Sequence, residues 1–414
     1  MNTLLLSVPA IARGLASSQL RHGLQLRALS SLKAKTLSKD QLPLHTGRPR
    51  LVVLGSGWAA ARLLHDIDPK LYDITVVSPR NHMVFTPLLA STTVGTLEPR
   101  SVVVHLFELQ PALSAPANAI YIAEAQSVDP AARTVSCRSA DGLAFTLPYD
   151  KLAICTGSQG STFGIPGVQQ HALFLRDVAQ ADAIRQRLID NLSLAGIPGR
   201  RLEEWQRLLH VVIVGGGPTG VEVAGELTDF IHKELRNLYP DRARAMRITL
   251  VEARELLGTF DASLREYAAR KLMRRGVALR KGVVQELTER EVVLKDGAVL
   301  PYGLCIWSTG VGPTPFILSL PFAKTNMGRL AVDGFMRVLA PPVSEGGQGG
   351  QQQQAGGQTL QEGQPPEGAM QQQQQRPQAS GPGPETVPGI MSRGPGAPSP
   401  SSPSLAPVPE VYSL

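Results

Sequence analysis

The 414-residue sequence has three cysteines and no C-x-x-C, so it offers neither a redox dithiol nor a metal-ligand spacing. Cys155 and Cys305 lie in apolar, strand-like pieces (KLAICTG and GLCIWSTG), where a small buried thiol is the ordinary use. No Ser/His/Asp constellation is found, and no metal is expected. Long hydrophobic runs are lacking as well. Arg13 interrupts the apolar start, and no stretch approaches the ~18–20 residues needed to span a bilayer, so any membrane contact is expected to be peripheral. Acids are missing from the first fifty residues except for Asp40, against eight Lys or Arg. That imbalance accounts for the whole formal charge of +7, and the remainder balances at zero. A basic face for nucleic acid is therefore not expected.

The acid-poor segment is rich in Leu, Ser and Arg, with Arg13, Arg21 and Arg27 at roughly helical spacing. Such a composition is that of an organelle transit peptide, with a mitochondrial presequence as the first reading and a plastid one as the second. Residues 1–49 are accordingly expected to be a transit peptide or disordered, and the fold to begin near Pro49. Near the other end, 341–409 consist largely of Gln, Gly, Pro and Ser, with Gln runs at 351–354 and 371–375. A segment so poor in apolar residues is expected to be disordered.

Between these segments the composition suits two domains with real cores. The most informative stretch is 211–225, VVIVGGGPTGVEVAG. Its four leading apolar residues read as a buried strand. Gly215, Gly217 and Gly220 follow at the spacing G-x-G-x-x-G, and a long helical pattern opens at Val221. The first glycine permits a tight turn, the second lets backbone approach a pyrophosphate, and the third lets helix and strand pack closely. A second strand, Arg247–Glu252, ends in a carboxylate placed to bind an adenine ribose and repel a 2′-phosphate, which favours NADH over NADPH. The helix between them is expected to run long, to a Pro-Asp turn at Pro240.

The pattern occurs twice. Strand 50–55 leads into Gly55, Ser56 and Gly57, with Ala60 in the third glycine position, then a helix and a strand at 72–78. Ser78 stands where the ribose acid would be. Residues 81–99 (NHMVFTPLLASTTVGTLEP) read as a loop. Two strands end in matching Thr-Gly turns, Thr156-Gly157 and Thr309-Gly310. A helix is expected after Phe174, an amphipathic one over 264–275, and a hairpin turn at Asp296-Gly297. Trp307 reads as a core residue. The fold class is α/β, with two Rossmann-like dinucleotide-binding domains, the second inserted in the first.

Taken together, VVLGSGWAA, VVSPRNHMVFTPLL, TVGTLEP, YDKLAICTGS, HVVIVGGGPTGVEVAGELTDF, ITLVEA and CIWSTGVGPTPF resemble the type II NADH dehydrogenases, single-subunit NADH:quinone oxidoreductases, in their mitochondrial branch. The resemblance runs over about 50–340. It implies FAD at Gly55, Ser56, Gly57, Ser78, Arg80, Thr86, Thr156 and Gly157. NADH would lie at Gly215, Gly217, Pro218, Thr219, Gly220, Glu252 and Gly310. Glu222 matches a family glutamate near the nicotinamide and flavin, although spacing alone makes it an ordinary acid at a helix N-terminus. The domains so implied are a first part of the FAD-binding domain at 50–173, an NADH-binding domain at 174–310 and a return at 311–340. In the family a strand like PEVYSL continues into a flavin-contacting Gly-Asp and a membrane-docking region. Residues 410–414 thus read as the start of an incomplete FAD-domain strand, and the resemblance implies a C-terminally truncated member.

The expected partners are NADH, a quinone and a membrane surface, at the mitochondrial inner membrane, and a homodimer stays open. Two other readings remain: an NADH reductase with a soluble acceptor, and a non-catalytic NADH-binding protein that has lost the flavin.

Overall fold

The structure is a computed structural model describing residues 42–341 and 407–413; the expectations for 1–41 and 342–406 lie outside the described residues.

The first domain starts with β1 (Arg50–Leu54), whose apolar run is almost wholly buried. Helix α1 (Trp58–Asp66) follows and buries Ala60, Ala61 and Leu64 against the sheet. The chain returns as β2 (Asp73–Ser78), parallel to β1 with Leu54 opposite Val77. Three further strands, β3 (Ala119–Asp129), β4 (Thr134–Ser139) and β5 (Ala144–Pro148), form an antiparallel meander on the far side of β2. β6 (Lys151–Ile154) then returns to the other flank of β1, again parallel.

The chain next crosses into a second sheet at β7 (Leu173–Phe174), followed by α2 (Val178–Leu194). Asp177 caps α2, its carboxylate accepting the Gln180 N–H at 2.9 Å. The nucleotide-type unit comes after a short helix, Leu202–Leu208, as β8 (His210–Val214), α3 (Pro218–Phe230) and β9 (Arg247–Glu252). Helix α4 (Ala262–Arg274) leads to β10 (Val277–Lys281). A three-stranded antiparallel sheet (Val284–Leu287, Glu291–Leu294, Val299–Pro301) precedes β11 (Leu304–Trp307). Its second and third strands turn at Gly297, with φ of 82°. The order β7-β11-β8-β9-β10 is parallel throughout. Every residue of β8 is buried, as a strand covered on both faces requires. Each Val or Ile placed there contributes about 1.5–3 kcal/mol of burial.

After β11 the chain recrosses. Val311–Gly312 pairs antiparallel with Gln159–Gly160, so the outgoing and returning crossovers lie side by side. β12 (Arg337–Leu339) and β13 (Pro407–Ser413) complete the first sheet, with β13 parallel to β6 and Val411 opposite Leu152. Among the described residues this sheet has eight strands, in the order β12-β13-β6-β1-β2-β3-β4-β5. The fold is therefore α/β with two Rossmann-like domains.

Several local expectations are corrected. Order begins before Pro49: the Asp73 carboxylate accepts the Thr46 N–H at 2.8 Å, the Thr46 hydroxyl at 2.7 Å and Arg48 Nε at 3.0 Å. Residues 81–99 are not a plain loop. His82–Val84 pairs with Val103–His105, and Thr86–Leu88 and Leu89–Thr92 are helical turns with Leu89 and Ala90 buried. Helix α3 begins at Pro218 rather than Val221, because proline suits a first helical position, where the N–H has no partner. α3 passes into a π turn at Ile231–Leu235, and Pro240 opens the short helix Pro240–Ala245 instead of a turn. The last strand spans Pro407–Ser413 rather than starting at 410.

Candidate functional site

Each domain ends its central strand in a glycine turn packed against a Thr-Gly turn of the same sheet. In the first domain Gly55 has φ of 109°, and a Cβ there would fall 2.3 Å from the Cys155 carbonyl oxygen. In the second, Gly215 has φ of 115°, and a Cβ there would meet Thr309 at 2.8 Å. Gly157 and Gly310 both have left-handed backbone, with φ of 69° and 73°. Cys155 N–H donates to Leu54 O at 2.8 Å, and Ser308 N–H donates to Val214 O at 2.9 Å. The two sites are copies of one device.

In the second domain Gly217 caps α3 without a side chain to occupy the free N–H groups of the first turn. Gly220 fits where nothing larger could, since a Cβ would lie 1.9 Å from the Gly215 carbonyl oxygen. Glu252, at the tip of β9, accepts the Gly216 N–H at 2.6 Å and the Arg254 N–H at 2.9 Å, so backbone amides fix its carboxylate. Gly216, Gly217, Glu252 and Arg254 line a cleft of about 800 Å³ with Pro218, Lys281, Ser308, Thr309 and Gly310. Gly215 and Gly220 are buried and do not line it.

Thr219 faces elsewhere. It lines a smaller cavity of about 220 Å³ with Gly160, Phe174, Arg176, Trp307 and Gly310, next to the paired crossovers. Arg176 donates to the Ser158 hydroxyl at 2.9 Å, and burial lowers its guanidinium pKa below the usual range. Trp307 is buried and donates its indole N–H to Ser161 O at 2.9 Å. Glu222 lies one turn into α3 and is exposed. Even so, the groups packed around it remove part of its water, which raises its carboxyl pKa, and the Glu226 charge raises it further.

In the first domain Ser78 is buried and hydrogen-bonded. Its hydroxyl donates to Ser56 Oγ at 2.9 Å and accepts the Arg80 N–H at 3.2 Å. This serine therefore braces the glycine turn from the position an acid holds in the second domain. Arg80 reaches Asp177 at 3.3 Å. Its Nε, like Thr156 Oγ1, is buried with no hydrogen-bond partner among the described residues. Buried polar atoms left so are costly, and a polar ligand at this turn would satisfy them. Thr86 is exposed and accepts the Trp58 indole N–H at 3.2 Å.

The structure thus brings Gly55, Ser56, Gly57, Ser78, Arg80, Thr156 and Gly157 to one end of the first sheet. Gly215, Gly217, Pro218, Gly220, Glu252 and Gly310 gather at the second, while Thr219 lines the cavity beside the paired crossovers and Glu222 lies one turn further along α3. Sequence reasoning missed Arg254, Lys281, Ser308, Arg176 and Asp177. Ser308 was legible as the neighbour of the repeated Thr-Gly. Lys281 depends on the register that sets it opposite Glu252.

All three cysteines are free and buried, and burial pushes the thiols up to about 11 for Cys137 and about 12 for Cys155 and Cys305. Thiolate exchange is disfavoured at such positions. Among the described residues, no group of three or more His, Cys, Asp or Glu is placed to hold a metal ion.

Comparison with known proteins places this geometry. A family model described as pyridine nucleotide-disulphide oxidoreductase matches residues 49–349. The internal alternative NAD(P)H-ubiquinone oxidoreductase A1, mitochondrial, of Solanum tuberosum is 49% identical over 299 residues, covering 70% of this chain and 60% of that protein. Its Arabidopsis thaliana namesake is 48% identical, covering 70% of this chain and 59% of that protein. Among solved structures, NDH2 from Plasmodium falciparum in complex with NADH superposes with a TM-score of 0.67 at 30% identity, covering 71% of this chain and 62% of that one. The chain spans about 60% of the length of the curated relatives it matches.

Proposed function

The chain belongs to the pyridine nucleotide-disulphide oxidoreductase family, among the type II NADH dehydrogenases, and from that premise we propose that it is an FAD-dependent NADH:quinone oxidoreductase. The observation that carries the reading is the duplicated glycine turn, backed in each domain by a Thr-Gly turn.

NADH is assigned to the larger cleft. There the Glu252 carboxylate takes the adenine ribose, and the first-turn N–H groups of α3 take the pyrophosphate across the bare backbone of Gly217. FAD is assigned to the matching turn of the first domain. The fit rests on the unpartnered Arg80 Nε and Thr156 Oγ1 and on the side-chain-free approach at Gly57. When bound, FAD would accept a hydride from NADH and pass two electrons to a quinone. The protein's part is to orient. Thr219 and Arg176 line the cavity where the nicotinamide end would approach the first domain, and Arg176 remains tied to the turn after Gly157 through Ser158. Glu222, with its raised pKa, holds or releases a proton one turn further along α3.

The labels of the relatives support a mitochondrial location, and a peripheral position on the inner membrane is part of the same proposal. Among the described residues, no helix is long and apolar enough to cross a membrane.

The test is the visible spectrum of the purified full chain incubated with FAD, before and after NADH, and again after a short-chain ubiquinone. A flavin band that NADH bleaches and the quinone restores supports the proposal. Recovery with soluble acceptors but not with the quinone overturns the choice of acceptor. No retained flavin, with NADH still bound, leaves an NADH-binding protein.

A further inference from the structure

Helix α3 carries two glutamates one turn apart, Glu222 and Glu226, and only the first enters the proposed function. Residues four apart share a helix face, and two like charges there repel. Glu226 is held in place from outside its own domain. Its Oε1 accepts the Ser91 hydroxyl at 2.9 Å, and its Oε2 accepts the Thr96 hydroxyl at 3.1 Å. Both donors belong to the first domain, on and just after the helical turn Leu89–Thr92. Beneath this contact the domains share one apolar cluster, with Leu89, Ala90 and Val94 packed with Val223, Ala224 and Leu227. Both oxygens of the Glu226 carboxyl are thus engaged by hydroxyls of the first domain.

We propose that Glu226 is a positioning residue for Glu222: it pins α3 to the first domain and fixes a negative charge one turn behind the Glu222 carboxyl. This rests on the reading of Glu222 as the acid that holds or releases a proton. Other charges near α3 are placed differently. The turn Leu89–Thr92 has no titratable side chain, and Arg185 of α2 lies over Gly95, beside Thr96. β9 carries Arg247 at its start and Glu252 at its tip, the latter held by the Gly216 amide. His210 begins β8, at the end away from the glycine turn, and His232, Lys233 and Glu234 follow the C-terminal end of α3. Asp229, further along α3, is paired with Lys233 and Arg275, and Glu226 is the charge that adds to partial burial in raising the Glu222 pKa.

The consequence can be read without turnover. The full chain is labelled with glutamate carrying ¹³C at the side-chain carboxyl, and the Glu222 signal is identified by its loss in Glu222→Gln. Glu226→Gln retains the shape and some hydroxyl contacts but removes the charge. The Glu222 titration midpoint is expected to fall by on the order of half a pH unit. An unchanged midpoint overturns the proposal and leaves the role of Glu222 standing. Should Glu226→Gln fail to fold, the double variant Ser91→Ala, Thr96→Val releases the carboxylate from the other side. It is then expected to slow flavin reduction at saturating NADH at least threefold with NADH affinity unchanged, and an unaltered rate overturns the proposal. If Glu222→Gln turns over NADH and quinone at the wild-type rate with the same pH profile, the reading of Glu222 fails and the proposal fails with it.

Discussion

Arg80 and Asp177, 97 residues apart in the chain, meet at 3.3 Å and join the chain just after β2 of the first domain to the N-cap of a helix in the second. Asp177 serves two partners at once, its other oxygen capping α2 through the Gln180 N–H. Asn caps as well as Asp, whereas Ala does not. Asp177→Asn is therefore expected to leave the thermal midpoint nearly unchanged and to weaken FAD retention, measured by flavin release on dilution. Asp177→Ala adds a cap loss of about 0.5–2 kcal/mol, measured by urea unfolding.

The glycines of the second turn separate stability from binding. Gly217 has ordinary backbone and open space around it, so Gly217→Ala is expected to fold normally and to lose NADH affinity, as its methyl would stand where the pyrophosphate approaches. Gly220→Ala forces a methyl against the Gly215 carbonyl and is expected to cost about 1–3 kcal/mol of stability as well. Urea unfolding beside NADH titration distinguishes the two. Equal stability of both variants would contradict the packing argument.

Glu252 is expected to set the choice of nucleotide. Losing a hydrogen bond to a charged group costs about 1.5–3 kcal/mol, so Glu252→Ala should bind NADH about ten- to a hundredfold more weakly. Arg254 and Lys281 remain in the cleft as cations for a 2′-phosphate, so NADPH binding should weaken less or improve. Paired binding titrations of the two nucleotides check this.

An ion pair at the base of the first sheet makes the fold sensitive to acid. The side-chain hydrogen bonds of Arg50 lower the Asp150 pKa to about 2, at 2.9 Å and 3.0 Å, with the Arg50 N–H adding a third at 2.8 Å. The unfolded value is near ~3.9. The pair therefore stabilises the fold above that pH, and the contribution is lost as pH falls toward about 2. Both groups are about one-third exposed, which limits the effect to roughly 1 kcal/mol or less. Asp150→Asn should flatten the stability curve over that window, as read by urea unfolding at several pH values.

Much of this was legible in the sequence, for local reasons. The strand 211–214, the three glycines and the acid at Glu252 follow one another in a unit whose period and turn chemistry are self-contained. The repeated Thr-Gly was equally visible. What was not legible is what depends on meetings across the fold. Ser78 looked like an acid gone missing, yet it braces Ser56, a contact set by two strand ends. Arg176 and Asp177 looked like the unremarkable start of a helix, and only the crossover places them against Ser158 and Arg80. Residues 81–99 looked shapeless because their short strand is fixed by pairing with Val103–His105 and their helical turn by packing onto the second domain, neither of which local periodicity records.

The nested topology also constrains the order in which the chain can acquire its shape. The second sheet draws all its strands from one continuous stretch, whereas the first must bring Val411 beside Leu152 before it is complete. Closing so long a loop is entropically slow, and contiguous domains fold as units. During synthesis the inner domain should reach its native form while the outer sheet still lacks β13 at one flank of β6. For that interval the partly built protein presents an open strand edge, and this is the stage at which it is most exposed to mispairing and to chaperone capture.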